Sequence, residues 1–130
     1  MLLGEFQAEF PWGLLLVTDA ASREEIPTWT APGEMVAAAS TALVARVKHQ
    51  DEGEVLVRVW DDSSEVLGRP VFSGVIELPS GVLKVSDALG DNSIELSAEG
   101  VVEHVEIYAG SRGADEVHLV VRSVEGDLRT

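Results

Sequence analysis

Several residue types are scarce in this chain of 130 residues. It has no cysteine, which excludes disulfide bonds, thiolate metal sites and cysteine nucleophiles. Its 9 Lys and Arg residues face 23 Asp and Glu residues, for a formal net charge of −14. This excess of acid argues against binding to nucleic acids or to anionic membranes, because both need a basic surface.

Long apolar runs are absent as well. The N-terminal stretch MLLGEFQAEFPWGLLLVTDAAS carries Glu5 and Glu9 where a secretory signal peptide has basic residues. Its longest apolar run, Leu14 to Val17, is too short for the core of such a peptide. No stretch approaches the ~18 apolar residues of a membrane span. The sequence therefore predicts a soluble protein, and we expect it in the cytoplasm.

Alternating apolar and polar residues are the main local pattern. It is clear in EVLVRVW (54–60), VVEHVEIYA (101–109) and VHLVVRSV (117–124), and alternation rich in valine is typical of β-strands. Turn motifs such as PWG, DEG, PSG and GSRGADE separate these runs at short intervals. The pattern predicts one domain over residues 1–130, an all-β antiparallel β-sandwich of about 8–10 strands. The predicted strands are 3–9, 14–18, 34–40, 42–49, 54–61, 70–78, 82–86, 93–97, 101–109 and 117–124.

Two segments are ambiguous. Gly33–Gln50 contains five alanines, with Met35, Leu43 and Val47 at a spacing that a helix would accept. TALVARVKH within it alternates, however, which favours two strands or one bent strand. Asp19–Gly33 is predicted to be a long loop, with one short helix at Ser22–Glu25 as an alternative, in which Ser22 would cap the first turn.

The stretch ELPSGVLKVSDALGDNSIEL has the strongest turn pattern in the chain. We interpret PSG as the turn of a hairpin with Val75–Leu78 and Val82–Ser86 as its arms. Asp87 and Asp91 then shape the next connection, since aspartate favours turns by accepting bonds from its own backbone.

A longer segment, Phe72–Ser123, resembles a loose group of small bacterial proteins. Their pattern is a strand, a Pro-Ser-Gly turn and a strand ending in Gly-Asp or Ser-Asp, followed by an apolar strand, a Gly-containing turn and two further strands. The resemblance implies a β-sandwich and no catalytic residues. This chain differs from the pattern at Glu99, Glu103 and Glu106, where basic residues are common.

Loop aspartates give a minor metal hypothesis. Calcium takes six to eight oxygen ligands, and Asp61, Asp62, Asp87 and Asp91 lie at predicted strand ends. They lack the dense spacing of known calcium loops, so turn formation is the preferred interpretation and no cofactor is predicted.

Two histidines give a second metal hypothesis. With the last hairpin centred near Arg112, Glu106 lies opposite His118, and His104 lies opposite Val120. The two histidines would then be diagonal neighbours beside a carboxylate, a set that could bind zinc. A surface His–Glu pair is the simpler interpretation.

No nucleophile motif or phosphate loop is present, so the sequence predicts a protein that is not an enzyme. The acidity favours an interaction protein that binds a basic protein, like an immunity protein or a nuclease inhibitor. The alternative is a module that binds a small ligand or a divalent metal. The candidate binding residues are Trp29, Glu24, Glu25, Glu103 and Glu106, with Trp29 chosen because exposed loop aromatics often mark partner sites. The simpler interpretation of Trp29 is that it closes the open end of the sandwich core.

Overall fold

The computed structural model describes residues 1–29, 33–66, 68–98, 100–109 and 115–123. They form ten strands and two short 3-10 turns, so the predicted all-β sandwich is confirmed. The strands are β1 (Leu2–Ala8), β2 (Leu14–Asp19), β3 (Val36–Ala38), β4 (Ala42–Arg46), β5 (Val55–Trp60), β6 (Arg69–Glu77), β7 (Val82–Asp87), β8 (Ser93–Ser97), β9 (Val102–Ala109) and β10 (Glu116–Ser123). Within the described ranges, no helix is long and apolar enough to cross a membrane.

The strands form two five-stranded sheets. The first sheet has the order β1-β5-β10-β9-β6, and the second has the order β3-β4-β2-β7-β8. Neighbouring strands are antiparallel except β5 and β10, which run parallel in the middle of the first sheet. The predicted ambiguity at 33–50 is resolved in favour of two strands, β3 and β4, which pair with each other.

The core lies between the sheets and follows the period of two in the sequence. Val55, Val57 and Val59 of β5 all point into it and are fully buried. Inward residues of β1, β2, β4, β6, β7, β9 and β10 complete the cluster, together with Phe10, Val47 and Leu78. Because alternate residues of a strand point to opposite faces, the valine-rich alternation fixes which face of each strand is buried.

The long loop after β2 covers the outer face of the second sheet. β2 and β3 run in the same direction on either side of β4, so the chain must return along the sheet between them. Ala42 and Val44 point away from the core and are nevertheless buried. Loop residues, Ile26 among them, line a shallow hollow with Leu16 and Lys84 on this face.

A second return path exists on the first sheet. β5 and β6 also run in the same direction, with β10 and β9 between them. Since the second sheet occupies the core side, we infer that the described part of the connection after β5, residues 61–66, leaves over the outer face. Trp60, His118 and Val120 point to that face and are buried. Both faces of the sandwich are therefore partly covered by chain.

Two turn predictions are wrong. PSG does not close a hairpin, because β6 belongs to the first sheet and β7 to the second. Instead, Gly81 donates its backbone N–H to the carbonyl of Leu78 in a turn that passes the chain between sheets. The alternative helix at Ser22–Glu25 is also absent: the Ser22 hydroxyl accepts from the backbone N–H of Glu24 at 3.2 Å and forms a local turn.

Candidate protein-binding surface

A Pro-Trp-Gly turn, Pro11–Gly13, joins β1 to β2 at one end of the sandwich. Gly13 donates to the carbonyl of Phe10 at 2.9 Å, which closes the turn. Two bonds from a distant segment hold it: Val47 donates to Gly13 at 2.9 Å, and Gln50 donates to Phe10 at 3.0 Å. Gly13 has φ +66°, and an added Cβ would lie only 2.9 Å from the Val47 carbonyl oxygen. The turn is therefore clamped and requires glycine.

Trp12 occupies the centre of this turn and points outward. It has φ +58° and ψ +8°, a left-handed conformation that L-residues other than Asn and Asp rarely adopt. No other described non-glycine residue has a positive φ. Its side chain remains 63% exposed, so the indole contributes little to the core. An exposed aromatic held in a strained backbone is a feature of functional sites.

A 3-10 turn at Gln50–Glu52 lies against the Trp12 turn and carries acidic residues. His49 precedes it, and its Nδ1 accepts the backbone N–H of Asp51 at 3.1 Å. Glu54 follows the turn and directly precedes β5. The side chains of Asp51, Glu52 and Glu54 are all exposed.

Acids from two further segments lie at the same end. Glu9 comes directly after Ala8, which pairs with Val55 at the start of β5. The backbone carbonyl of Asp115 accepts the N–H of Leu56 in the same strand. We call this region the Trp12 surface, defined by Glu9, Trp12, Asp51, Glu52, Glu54, Asp115 and Glu116. Lys48 lies within it and makes an ion pair with Asp115.

Glu116 is the one member of this surface that connects to buried side chains. His118 Nε2 lies 3.1 Å from a Glu116 carboxylate oxygen, and Nδ1 of the same ring accepts the indole N–H of Trp60 at 2.9 Å. Because an indole can only donate, the histidine is neutral with its proton on Nε2, which it donates to Glu116. Trp60 also stacks on His118, with ring centroids 6.0 Å apart.

The residues predicted around Trp29 have structural contacts. The Arg46 guanidinium lies 4.1 Å from the centre of the Trp29 ring, and Trp29 is only partly exposed. Glu24 accepts bonds from the backbone N–H and the hydroxyl of Thr41, at 2.7 and 2.6 Å. The bond from the Thr41 hydroxyl is the main cause that lowers the pKa of Glu24 below its ordinary value. Glu25 is exposed beside it.

Glu103 and Glu106 do not share a surface. Glu103 is 4% exposed on the core side of β9 and lines a cavity of about 370 Å³ with Leu83 and Val121. Glu106 points to the opposite side, where it accepts bonds from Tyr108 and Arg122, both at 3.1 Å. The spacing of three residues along a strand places them on opposite faces.

The aspartates proposed for calcium are divided between two ends of the sandwich. Asp61 and Asp62 follow β5 and bind the amino group of Met1, at 2.7 and 3.6 Å. Asp87 closes the β7–β8 turn by accepting backbone N–H groups, among them those of Asp91 and Asn92, both at 3.1 Å. The Asp87 carboxylate therefore shapes this connection, as predicted, whereas Asp91 contributes its backbone N–H to it.

The predicted pairing of the histidines is wrong by two residues. His118 lies opposite Tyr108, and His104 lies opposite Arg122. A shift of two keeps the side chains on the predicted face but separates the histidines. His104 Nε2 lies 3.0 Å from the Ser73 hydroxyl instead. The predicted centre of the hairpin, Arg112, lies outside the described residues, and among those described no group of three His, Asp or Glu residues is placed to bind a metal.

Sequence reasoning missed Trp12. The PWG motif indicated only a turn, and the choice of an exposed tryptophan went to Trp29. The available signal was that a tryptophan between proline and glycine in so short a loop has little room to fold back onto the core.

Comparisons with known proteins support the fold. No family model and no curated protein sequence matches the chain. The structure is similar to the crystal structure of ComJ, an inhibitor of the DNA-degrading activity of NucA, from Bacillus subtilis. The TM-score is 0.66 at 14% sequence identity, and the match covers 95% of this chain and 98% of ComJ. At this identity the likeness shows a shared fold.

Proposed function

We propose that this protein is a non-enzymatic inhibitor that binds a basic protein, a nuclease, through the Trp12 surface. The observation that carries the proposal is the convergence of acids from separate chain segments on one exposed end. Glu9, the turn acids Asp51 and Glu52, and Asp115 are far apart in sequence and meet there.

An acidic surface speeds the encounter with a basic partner and favours that partner over acidic ones. A nuclease must attract the phosphate backbone of its substrate, so its substrate groove is basic. An acidic surface on an inhibitor is complementary to such a groove, and long-range attraction then speeds association. The fold that this chain shares with ComJ supports the nuclease as the class of partner.

The test is a DNA-degradation assay. The protein is titrated against NucA and against the nucleases encoded beside its own gene, at low and at high salt. We expect inhibition of at least one of these enzymes, with an inhibition constant that rises with salt because charges are screened. Absence of inhibition across the whole set would overturn the proposal.

A matched pair of variants locates the surface. In one, Asp51, Glu52 and Glu54 are changed to Lys. In the control, Glu65, Glu77 and Glu95 are changed to Lys; these three side chains are also exposed but lie outside the Trp12 surface. Both variants shift the net charge equally, so only a local effect separates them. We expect the first variant to lose inhibition and the control to retain it; equal losses would contradict a specific surface.

A further inference from the structure

Trp12 combines three properties that a purely structural tryptophan does not need. Its backbone is strained at φ +58°, its turn is clamped by bonds from Val47 and Gln50, and its indole is 63% exposed. The fold could relieve the strain with glycine at this position, because glycine adopts left-handed conformations readily. The two other tryptophans have partners, since Trp29 packs under Arg46 and Trp60 stacks on His118.

Clamping makes the indole a preorganised contact. Tryptophan is among the residues most often found to dominate binding energy at protein interfaces. The two bonds fix the backbone on either side of Trp12, and a fixed backbone has less conformational entropy to lose when a partner binds. The turn bonds at 2.9–3.0 Å therefore favour a role for Trp12 in binding.

The surroundings of Trp12 indicate the chemistry of the contact. Glu52 lines the same shallow hollow as Trp12, together with His49, and Asp51 lies between these two in sequence. The face of an indole carries partial negative charge and attracts cations. Ring and carboxylates thus favour the same kind of group, an arginine or a lysine. Arg46 also lines this hollow, but its guanidinium is engaged with the ring of Trp29, at 4.1 Å, in the same kind of cation–ring pairing.

We propose that Trp12 is the anchor residue of the Trp12 surface and that its indole receives an arginine or lysine side chain of the basic partner. This rests on the proposed function, and it adds a specific residue and a specific contact. The acids attract the partner, and the indole holds one of its cations.

The test uses three variants of Trp12 against the nuclease that the wild-type protein inhibits. Trp12→Gly removes the indole and relieves the strained φ, so we expect a dissociation constant at least about 30-fold higher with an unchanged or higher midpoint of urea unfolding. A merely structural Trp12 would give the opposite result, a lower midpoint and unchanged affinity, and this would overturn the proposal.

Trp12→Phe and Trp12→Leu separate a cation contact from simple burial. Both variants keep an apolar side chain and the strained φ at position 12, but only phenylalanine keeps an aromatic ring. We expect the phenylalanine variant to bind about 5-fold more tightly than the leucine variant. If leucine binds as well as phenylalanine, the indole enters an apolar pocket and the cation contact is wrong.

Val101→Ala is the control, because Val101 is 59% exposed and lies just before β9, at the end of the sandwich opposite the Trp12 turn. Its dissociation constant should match that of the wild type within about twofold, since surface changes outside an interface have small effects. Loss of affinity with the Asp51, Glu52 and Glu54 variant but not with Trp12→Gly overturns the anchor alone. No inhibition by the wild type overturns both proposals.

Discussion

The turns of the second sheet and the Trp12 surface both carry carboxylates, but the two regions use them differently. Asp19 is 3% exposed, and one of its carboxylate oxygens accepts from the backbone N–H and the hydroxyl of Ser80, at 3.0 and 2.7 Å. Asp87 is equally buried and accepts four bonds within its own turn. Asp51 and Glu52, by contrast, are exposed to solvent.

This difference shows that the acidic residues behind the net charge of −14 have two distinct roles. The buried carboxylates satisfy backbone donors in the turns, and removing them leaves those donors without partners. The exposed carboxylates contribute an electric field at one end. Stability measurements should therefore separate the two regions, and the variants below test that separation.

The largest effect is expected for Asp19→Ala. It leaves the N–H groups of Ala21 and Ser80 and the Ser80 hydroxyl without their acceptor, so we expect a loss of about 3 kcal/mol in the free energy of unfolding. Glu52→Ala removes an exposed carboxylate and should change it by less than about 0.5 kcal/mol. Urea unfolding at pH 7 measures both, and similar losses would show that the two regions do not differ.

Glycine substitutions make the same comparison for the backbone. Gly13→Ala combines φ +66° with a Cβ 2.9 Å from the Val47 oxygen, so we expect a loss of about 2–3 kcal/mol. Gly90→Ala in the β7–β8 turn has a similar φ, +77°, but open space around the new methyl group, and should cost about 1 kcal/mol. Thermal unfolding of both variants tests whether the Trp12 turn is the more tightly packed of the two.

Asp87→Asn tests the charge of a turn carboxylate. Burial alone would raise the pKa of Asp87, but bonds from Asn92 and the adjacent backbone outweigh it and lower the pKa below its ordinary value. The ionised group therefore stabilises the fold above pH ~4, and this contribution is lost as the pH falls through the lowered pKa. The variant should be less stable by about 1.5 kcal/mol at pH 7. In urea titrations at both pH values, the difference should be smaller at pH 3; a constant difference would contradict the argument.

The smallest effect concerns Glu24, an exposed acid with a structural contact. The pKa of Glu24 is lowered chiefly by the bond from the Thr41 hydroxyl, with a further contribution from the Thr41 backbone N–H. In Thr41→Val the pKa should rise part of the way to its ordinary value, because the backbone donor remains. Titration followed by NMR of the Glu24 carboxyl measures this; no change would mean that the hydroxyl does not bind the carboxylate.

Much of the fold follows from local pattern. Strand β8 was predicted at 93–97 and found at Ser93–Ser97, and β5 was predicted within one residue at each end. Alternation identifies such strands because burial of one face selects valine and similar apolar residues at every second position. The same local information does not reveal which strands pair. A Pro-Ser-Gly turn looks alike in sequence whether its arms pair or pass into different sheets.

The candidate site was harder to predict for a related reason. The conformation of the Trp12 turn involves bonds from Val47 and Gln50, which are distant in sequence. Trp29 is likewise a tryptophan in a loop, although a longer one, but Arg46 of β4 covers its ring. Glu103 and Glu106 lie on opposite faces of β9 because they are three residues apart in a strand. The sequence shows this spacing, and the choice of the two residues overlooked it.

The position of β10 bears on how the protein folds during synthesis. β10 comes after the other nine strands in the chain, but it lies between β5 and β9 in the first sheet. The β1–β5 pair and the β6–β9 pair can form earlier, as two separate halves. Until residues 116–123 leave the ribosome, each half exposes an unpaired strand edge, which is an aggregation risk. β10 therefore joins the two halves into one sheet, and a chaperone that shields β5 and β9 until β10 is made would raise the yield of folded protein.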